Sequence, residues 1–323
     1  MLSGCLDSLA GLVDEVVLVD TGSADATPQI AAARGARVLH LPWGDDFAAA
    51  RNHALDQAHG RWVLSVDADE RAVGPGGSAC PAQALRNLLA GEPAWDVFSL
   101  RVDSGPEPSE RPWGEGWRPC LFRADPRRRW VGVIHECLAG PPDDRRARIA
   151  ELSLRHLGAR SDPPTAQRKH ARNIGILRRA LGKAPGASEL HWYLGLELDA
   201  AGAHEEARRE LDAAWAPVAN DPAAWSPQWS HLAAALVLAS LRVGMAEHGL
   251  RVSREVLGRH PQSPEFWWLL AACLRARAMP GAAQVAARAG LGVAEPDPAI
   301  SYRRADIRDL LIRQLADTPV PTP

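Results

Sequence analysis

Lysine is almost missing from this chain: Lys169 and Lys183 are the only two, against many arginines. With the high alanine and glycine content, that reads as a GC-rich coding bias rather than a functional choice. No charge of one sign dominates. The net charge is −2 over 323 residues, so there is no broad basic field and nucleic acid is not an expected partner. Cysteine is sparse and scattered (Cys5, Cys80, Cys120, Cys137, Cys273), odd in number and without C-x-x-C spacing. This argues against a disulfide framework or a structural zinc site and suits a reducing compartment. No apolar run is long enough to span a bilayer, so no transmembrane segment is expected. No charged region followed by an apolar core opens the chain, so a signal peptide is not expected either. The expected location is cytoplasmic, extending to the periphery of the inner membrane face.

The most informative stretch is Arg61–Glu70, RWVLSVDADE. An apolar run, Trp62–Val66, ends abruptly in Asp67, Asp69 and Glu70. Such a run reads as a buried strand of a parallel sheet. In open α/β sheets, ligands collect beyond the carboxyl ends of strands. Alternation along an extended strand would point Asp67 and Asp69 the same way. Two carboxylates on one side make a hard-oxygen site for Mg²⁺ or Mn²⁺, normally shared with substrate phosphates.

The length accommodates two domains. Leu2, Leu6, Leu9 and Val13 recur at helical spacing. A strand at Glu15–Asp20 and a turn at Thr21–Ser23 follow. Ser23 or Asp25 can cap a helix over Ala26–Arg34, which Gly35 closes. A strand over Ala36–Leu41, a helix over Phe47–Ala58 and the Trp62 strand complete an alternation that predicts α/β units around a mostly parallel sheet. Beyond Glu70 the pattern loosens. Val73–Pro81 reads as loop, Ala82–Ala90 as a short helix and Trp95–Val102 as a strand. Asp103–Gly116 is a long polar loop, and Trp117–Arg123, Trp130–Cys137 and Ile149–His156 read as further strands.

From Pro163 the pattern is helical only, and the domain boundary falls near Gly158–Pro164. The expected division is 1–160, 161–316 and a disordered tail, 317–323. His191-Trp192-Tyr193-Leu194-Gly195 with Ala207 and Ala214 fits a tetratricopeptide pattern, in which small residues let paired helices approach. Trp267, Leu270, Ala271 and Leu274 with Ala283 repeat it. Leu232–Ser240 and Ala246–Leu257 with Pro261 form a poorer copy between them.

Five segments in this order carry a resemblance: VVLVDTGSADAT (Val16–Thr27), FAAARN (Phe47–Asn52), VDADE (Val66–Glu70), RPCLFR (Arg118–Arg123) and VGVIHE (Val131–Glu136). The N-terminal half resembles bacterial family 2 glycosyltransferases, with the nucleotide-diphospho-sugar transferase (GT-A) fold. The order and spacing fit a subgroup carrying C-terminal tetratricopeptide repeats. The resemblance implies a metal-dependent inverting enzyme with a nucleotide-sugar donor, a UDP-sugar by preference. The acceptor would be a peptide, a glycan or a lipid-linked saccharide presented by the repeats. It implies that Asp20 contacts the uracil or ribose, that Asp67 lies near the ribose or sugar, and that Asp69 ligates Mg²⁺ or Mn²⁺. His135 is a third metal ligand or a diphosphate contact. Arg118 and Arg123 would clamp the diphosphate, since guanidinium forks match phosphate oxygens. Either Glu136 or Glu70 serves as the general base.

Each residue also has a structural role open to it. Asp20 can cap its own turn, His135 can sit satisfied in a core, and the two arginines can be solvated or paired. Trp113 and Trp117 can stack on a sugar or pack under the loop. Arg51 and Asn52 approach the donor or only pack, while His156, Arg172 and Asn173 read as structural. Family members open with an apolar strand ahead of the first helix, which this sequence lacks. The resemblance therefore implies neighbouring strands with unpaired edges or an exposed apolar face. That shortfall also keeps a second reading open, a tetratricopeptide adaptor with an inactive transferase domain.

Overall fold

The computed structural model describes residues 1–75, 78, 82–91, 93–104, 114–159, 162–221, 223, 225–302, 304 and 306–315. Two compact units divide between Ala166 and Gln167.

The first unit begins with the expected alternation: α1 (Leu2–Leu9), β1 (Val17–Asp20), α2 (Thr27–Ala33), β2 (Arg37–His40), α3 (Phe47–Gln57) and β3 (Trp62–Leu64). Local chemistry sets these boundaries. Gly35, at φ 77°, takes the left-handed conformation that ends α2. Asp46 caps α3 by accepting from the Ala49 N–H at 2.9 Å. At α2 the residue before the helix is Ala26, and Asp25 instead accepts from the Thr27 N–H at 2.9 Å.

After β3 come β4 (Glu70–Val73), α4 (Ala82–Ala90), β5 (Val97–Ser104), β6 (Gly114–Arg123), β7 (Arg129–Val131), β8 (Cys137–Ala139) and β9 (Arg146–His156). Five of these strands form one sheet in the order β3-β6-β5-β9-β4. The sheet is mixed, and this corrects the expectation of mostly parallel strands. Within it only β5 and β9 run parallel, while β3, β4 and β6 pair antiparallel to their neighbours. The helical crossovers that parallel neighbours require stop after β3. β1 and β2 form a separate parallel pair. The core lies on the five-stranded sheet, where Phe98, Leu100, Leu121, Leu152 and Leu154 are buried together with Cys5 and Leu9 of α1.

Two further differences matter below. β4 takes in Glu70–Val73, of which the sequence reading placed only Val73 in a loop and none in a second strand, and it pairs Glu70 with His156. Trp130–Cys137 is not one strand. Gly132 and His135 take φ of 99° and 51°, which breaks the extended run into a turn between β7 and β8.

The second unit is helical: α5 (Pro163–Lys183), α6 (Ser188–Ala200), α7 (His204–Asn220), α8 (Trp229–Arg242), α9 (Ala246–Arg259), α10 (Pro264–Ala276), α11 (Pro280–Leu291) and α12 (Ile307–Leu315). Helices α6 to α11 form three successive pairs, matching the three sequence copies. One continuous core runs through them from Leu211 to Leu311. Small residues sit at the close approaches. A Cβ on Gly195 would meet Leu211 Cγ at 2.6 Å and the Ala207 carbonyl at 3.1 Å. Gly195→Val should therefore overpack the α6–α7 contact and cost about 1–3 kcal/mol. Thermal unfolding should register a lower Tm, whereas Gly182→Ala in α5, where nothing lies within 4 Å, should not lower it. Equal melting of the two variants would contradict the packing role. Among the described residues no helix is long and apolar enough to cross a membrane. The expected tail, 317–323, lies outside the described residues.

Candidate functional site

The site begins where β3 runs out. Ser65 still donates its N–H to the Cys120 carbonyl at 2.8 Å, but the chain then turns back toward β4. The Glu70 N–H donates to the Asp67 carbonyl at 2.9 Å, and the Asp67 N–H donates to Glu70 Oε2 at 2.8 Å. Asp67 and Asp69 thus lie in and beside a tight turn, not on an extended strand. The alternation that would have aimed them together does not operate.

Asp67 faces two arginines. Arg51 Nη2 donates to Oδ1 at 2.6 Å, and Arg118 Nη1 donates to Oδ2 at 3.2 Å. Arg51 reaches this point because Asn52, its neighbour on α3, locks β7 in place. The Asn52 side chain donates to the Trp130 carbonyl and accepts from the Trp130 N–H, both at 2.9 Å. Arg51 also lies over the Trp130 ring at 4.9 Å and donates to Ser65 Oγ at 3.0 Å and to Glu136 Oε1 at 2.5 Å. One guanidinium therefore ties Asp67 to Glu136.

Arg118 grips Glu70 with both oxygens within reach of Nη2, at 2.8 and 2.7 Å. Glu70 is completely buried. Burial pushes its carboxyl up, and the Arg118 charge does not fully offset that, so its pKa lies above the ordinary value. Asp67 ends the other way. Burial raises it, but Arg51 and Arg118 outweigh that and hold its carboxyl below the usual range. Burial alone would lower the pKa of Arg118, but Cys120, Glu70 and Asp67 together raise it, so it stays charged.

Asp69 turns to a different partner. Its Oδ2 lies 3.2 Å from His156 Nε2, the last residue of β9. The β4–β9 register delivers that contact by setting Glu70 opposite His156. Gly158 is needed beside it, since a Cβ there would sit 2.0 Å from Asp69 Oδ2.

The structure therefore brings together Asp67, Asp69, Glu70, Arg118 and Glu136 from the sequence reading, with Arg51, for which approach to the donor or packing was left open, and His156, which read as structural. The signal for His156 was the antiparallel pairing of β4 with β9, hidden because Glu70–Val73 carries no clear strand pattern.

Three expected participants stand elsewhere. Arg123 pairs with Trp62 at the opposite end of β3, where it lies over the Trp62 ring at 4.7 Å and donates to the Pro93 carbonyl at 2.9 Å. It is removed from the cluster as a diphosphate clamp. His135 is exposed in the β7–β8 turn, and its place beside Asp69 is taken by His156. Asp20 is buried, but its carboxylate accepts from the Gly22 and Ser23 N–H groups of its own turn at 3.2–3.3 Å. Those bonds, the Ser23 side chain foremost, hold its pKa below the ordinary value. Trp113 lies outside the described residues. Trp117 is 41% exposed and carries Arg148 over its ring at 5.0 Å.

A divalent cation fits part of this arrangement. Asp67 is a poor ligand because both its oxygens accept from guanidinium groups. Asp69 and His156 offer one oxygen and one nitrogen 3.2 Å apart. Among the described residues no group of three or more His, Cys, Asp and Glu side chains could hold a metal. One carboxylate, here Asp69, can suffice for Mg²⁺ or Mn²⁺ where phosphate oxygens and water supply the rest.

Comparison with known proteins agrees with the N-terminal resemblance. Residues 1–72 match the model of Glycosyl transferase family 2. A TPR repeat-containing protein of Synechococcus elongatus is 51% identical over 73 residues, covering 23% of this chain and 18% of that protein. An uncharacterized glycosyltransferase of Rickettsia felis is 35% identical over 69 residues, covering 21% of this chain and 24% of that protein. The chain thus spans less than a quarter of the length of these curated relatives. Among solved structures, a crystal structure of MamA aligns with TM-score 0.34 at 13% identity, covering 48% of this chain and 92% of that one.

Proposed function

We propose that this chain is a metal-dependent glycosyltransferase that uses a nucleotide-sugar donor, a UDP-sugar by preference. The observation that carries the reading is the cluster at the carboxyl end of β3, inside the segment that matches the family 2 model. Asp67, Glu70 and Glu136 already neutralise Arg51 and Arg118. Within that cluster neither guanidinium is left unpaired for a diphosphate, so a divalent cation would be what makes that anion welcome. Asp69 and His156 are the residues to hold it. The bound cation would act as a Lewis acid and stabilise the departing diphosphate.

The chain's own groups divide the remaining work. Arg118 and Arg51 fix the Asp67 turn and set its geometry before ligand arrives. Glu70 is unsuited to proton abstraction, since it is buried and both oxygens are held by Arg118. Glu136 keeps only Oε1 on Arg51 and can accept the acceptor's proton through Oε2. The helical pairs of the second unit are the element suited to binding a peptide, glycan or lipid-linked acceptor, because stacked helix pairs form extended surfaces.

Incubation of the full chain with Mn²⁺ and a panel of UDP-sugars tests the reading. Transfer, or slow hydrolysis without acceptor, should release UDP. Glu136→Gln should reduce turnover by at least about 100-fold while leaving UDP affinity within a few-fold. Pyrophosphate as the product would point to nucleotidyl transfer instead. Turnover that survives Glu136→Gln would remove the base assignment.

A further inference from the structure

Most helices of the second unit are joined by short turns, such as residues 201–203, 243–245 and 277–279. One connection departs from this. Residues 292–306, between α11 and α12, exceed the about 2–8 residues usual between packed helices. Loops of that length in compact domains are commonly functional.

The loop reaches back to the start of α8. Trp225 Nε1 donates to the carbonyl of Ala299, 74 residues further on, at 3.3 Å. Ser230 is fully buried. Its hydroxyl oxygen accepts from the Ser301 and Tyr302 N–H groups at 3.1 and 2.8 Å and donates to the Pro227 carbonyl at 2.7 Å. Ser301 Oγ donates to the same carbonyl at 2.6 Å. Earlier in the loop, the Asp297 N–H donates to the Gln262 carbonyl at 2.7 Å, and its carboxylate lies 2.8 Å from His260 Nδ1.

This segment is held the way a ligand is held. Between Val293 and Tyr302 only Ile300 is buried, and it joins the core of the repeats. Glu295, Pro296, Pro298 and Ser301 are exposed. The Tyr302 ring meets His231 edge-on at 5.5 Å. Main-chain hydrogen bonds for affinity, with a pocket for a chosen side chain, are how folded surfaces bind peptide segments. The surface beneath belongs to the repeats and not to the loop: Trp225 and Ser230 lie at α8 and His260 follows α9. The adjoining Leu232, Leu236 and Val256 are fully buried in the helical core, which holds that surface in place.

We propose that residues 297–302 are an intramolecular ligand seated on a peptide-docking surface of the repeats. The external partner is a protein segment of the same chemistry: an aspartate, an aliphatic residue three positions on, then a hydroxyl residue and an aromatic one. Its aspartate would meet His260, its aliphatic side chain the Ile300 pocket, and its hydroxyl residue Pro227 and Ser230. The tether gives the resident segment an effective concentration on the order of mM, so the partner engages by displacing it. The inference stands on the second unit alone and does not depend on the transfer reading.

An anisotropy titration of a fluorescent peptide with the sequence of Ala294–Tyr302 tests this on the full chain and two released variants. Ile300→Asp removes the buried anchor from the loop. Asp297→Ala with Ser301→Ala removes two polar contacts and leaves the anchor in place. Neither variant changes a residue of the docking surface. Each should bind the peptide at least tenfold tighter than the unmodified chain, because the competing segment is lifted. Adding Ser230→Ala to either variant, which removes the acceptor of two main-chain bonds, should weaken binding by about tenfold. A peptide with aspartate in place of its isoleucine should not bind. Failure of both variants to bind more tightly than the unmodified chain would overturn the proposal. Binding unaffected by Ser230→Ala, or equal binding of the aspartate peptide, would overturn it as well.

Discussion

Arg118→Met should destabilise the first unit by about 3–5 kcal/mol, the usual cost of removing one partner of a buried ion pair. The reason is Glu70, which has no solvent exposure and whose only charged partner among the described residues is Arg118, on both carboxylate oxygens, the Asp67 N–H adding one bond to Oε2. Asp67 would lose one of its two arginines in the same step. Glu70→Gln in the Arg118→Met background should recover much of the loss, because no buried charge then remains. A double-mutant cycle by thermal unfolding measures this. Additive effects would contradict the pairing.

The pH dependence gives that prediction a sign. Burial, opposed but not overcome by Arg118, already holds the Glu70 pKa above its unfolded value of 4.5. Without Arg118 it should rise further. A carboxyl with a raised folded pKa favours the folded state fully below the unfolded value and loses that contribution as pH rises through the folded one. The gap between Arg118→Met and the unmodified protein should thus be small near pH 4.5 and widen toward pH 7. Asp67 works in the opposite direction. Its lowered pKa stabilises the fold above 3.8 and loses that contribution as pH falls through the folded value.

The second large effect falls on the pair beside that network. Asp69→Asn and His156→Ala should each lower metal-dependent UDP affinity by about 100-fold, equivalent to about 2.8 kcal/mol. His135→Ala should change it by less than about threefold. The contrast follows from geometry: His156 Nε2 lies 3.2 Å from Asp69 Oδ2, while His135 sits exposed in the β7–β8 turn. Competition titrations with Mn²⁺ on the three variants check it. A large loss in His135→Ala with none in His156→Ala would return the metal to the residues the sequence first suggested.

Strong local signals were legible and pairings across the sheet were not. The α4 bounds, Ala82–Ala90, match the sequence reading, and the three helix pairs announced themselves through small residues at helical spacing. Near the site, Asp67, Asp69 and Glu70 were recognisable because they end an apolar run, while the roles of Arg118 and Glu136 came only from the family resemblance. Arg123 misled because it shares the RPCLFR segment with Arg118. Five strand residues span about 17 Å, which carries it to the far end of β3. His156 was hidden for the converse reason. It is distant from Asp69 in sequence, and only the short β4 strand sets it opposite Glu70. Strand direction was also beyond the local pattern, since the alternation through β3 says nothing about how β4 to β9 pair.

The most direct test of the central claim is a calorimetric titration of the full chain with UDP, once with Mn²⁺ and once with the metal chelated. Binding should appear with Mn²⁺ and weaken by at least about 100-fold without it, because the Asp67 network leaves no spare positive charge for a diphosphate. Equal affinity in the two titrations, or no UDP binding with Mn²⁺ present, would contradict the account.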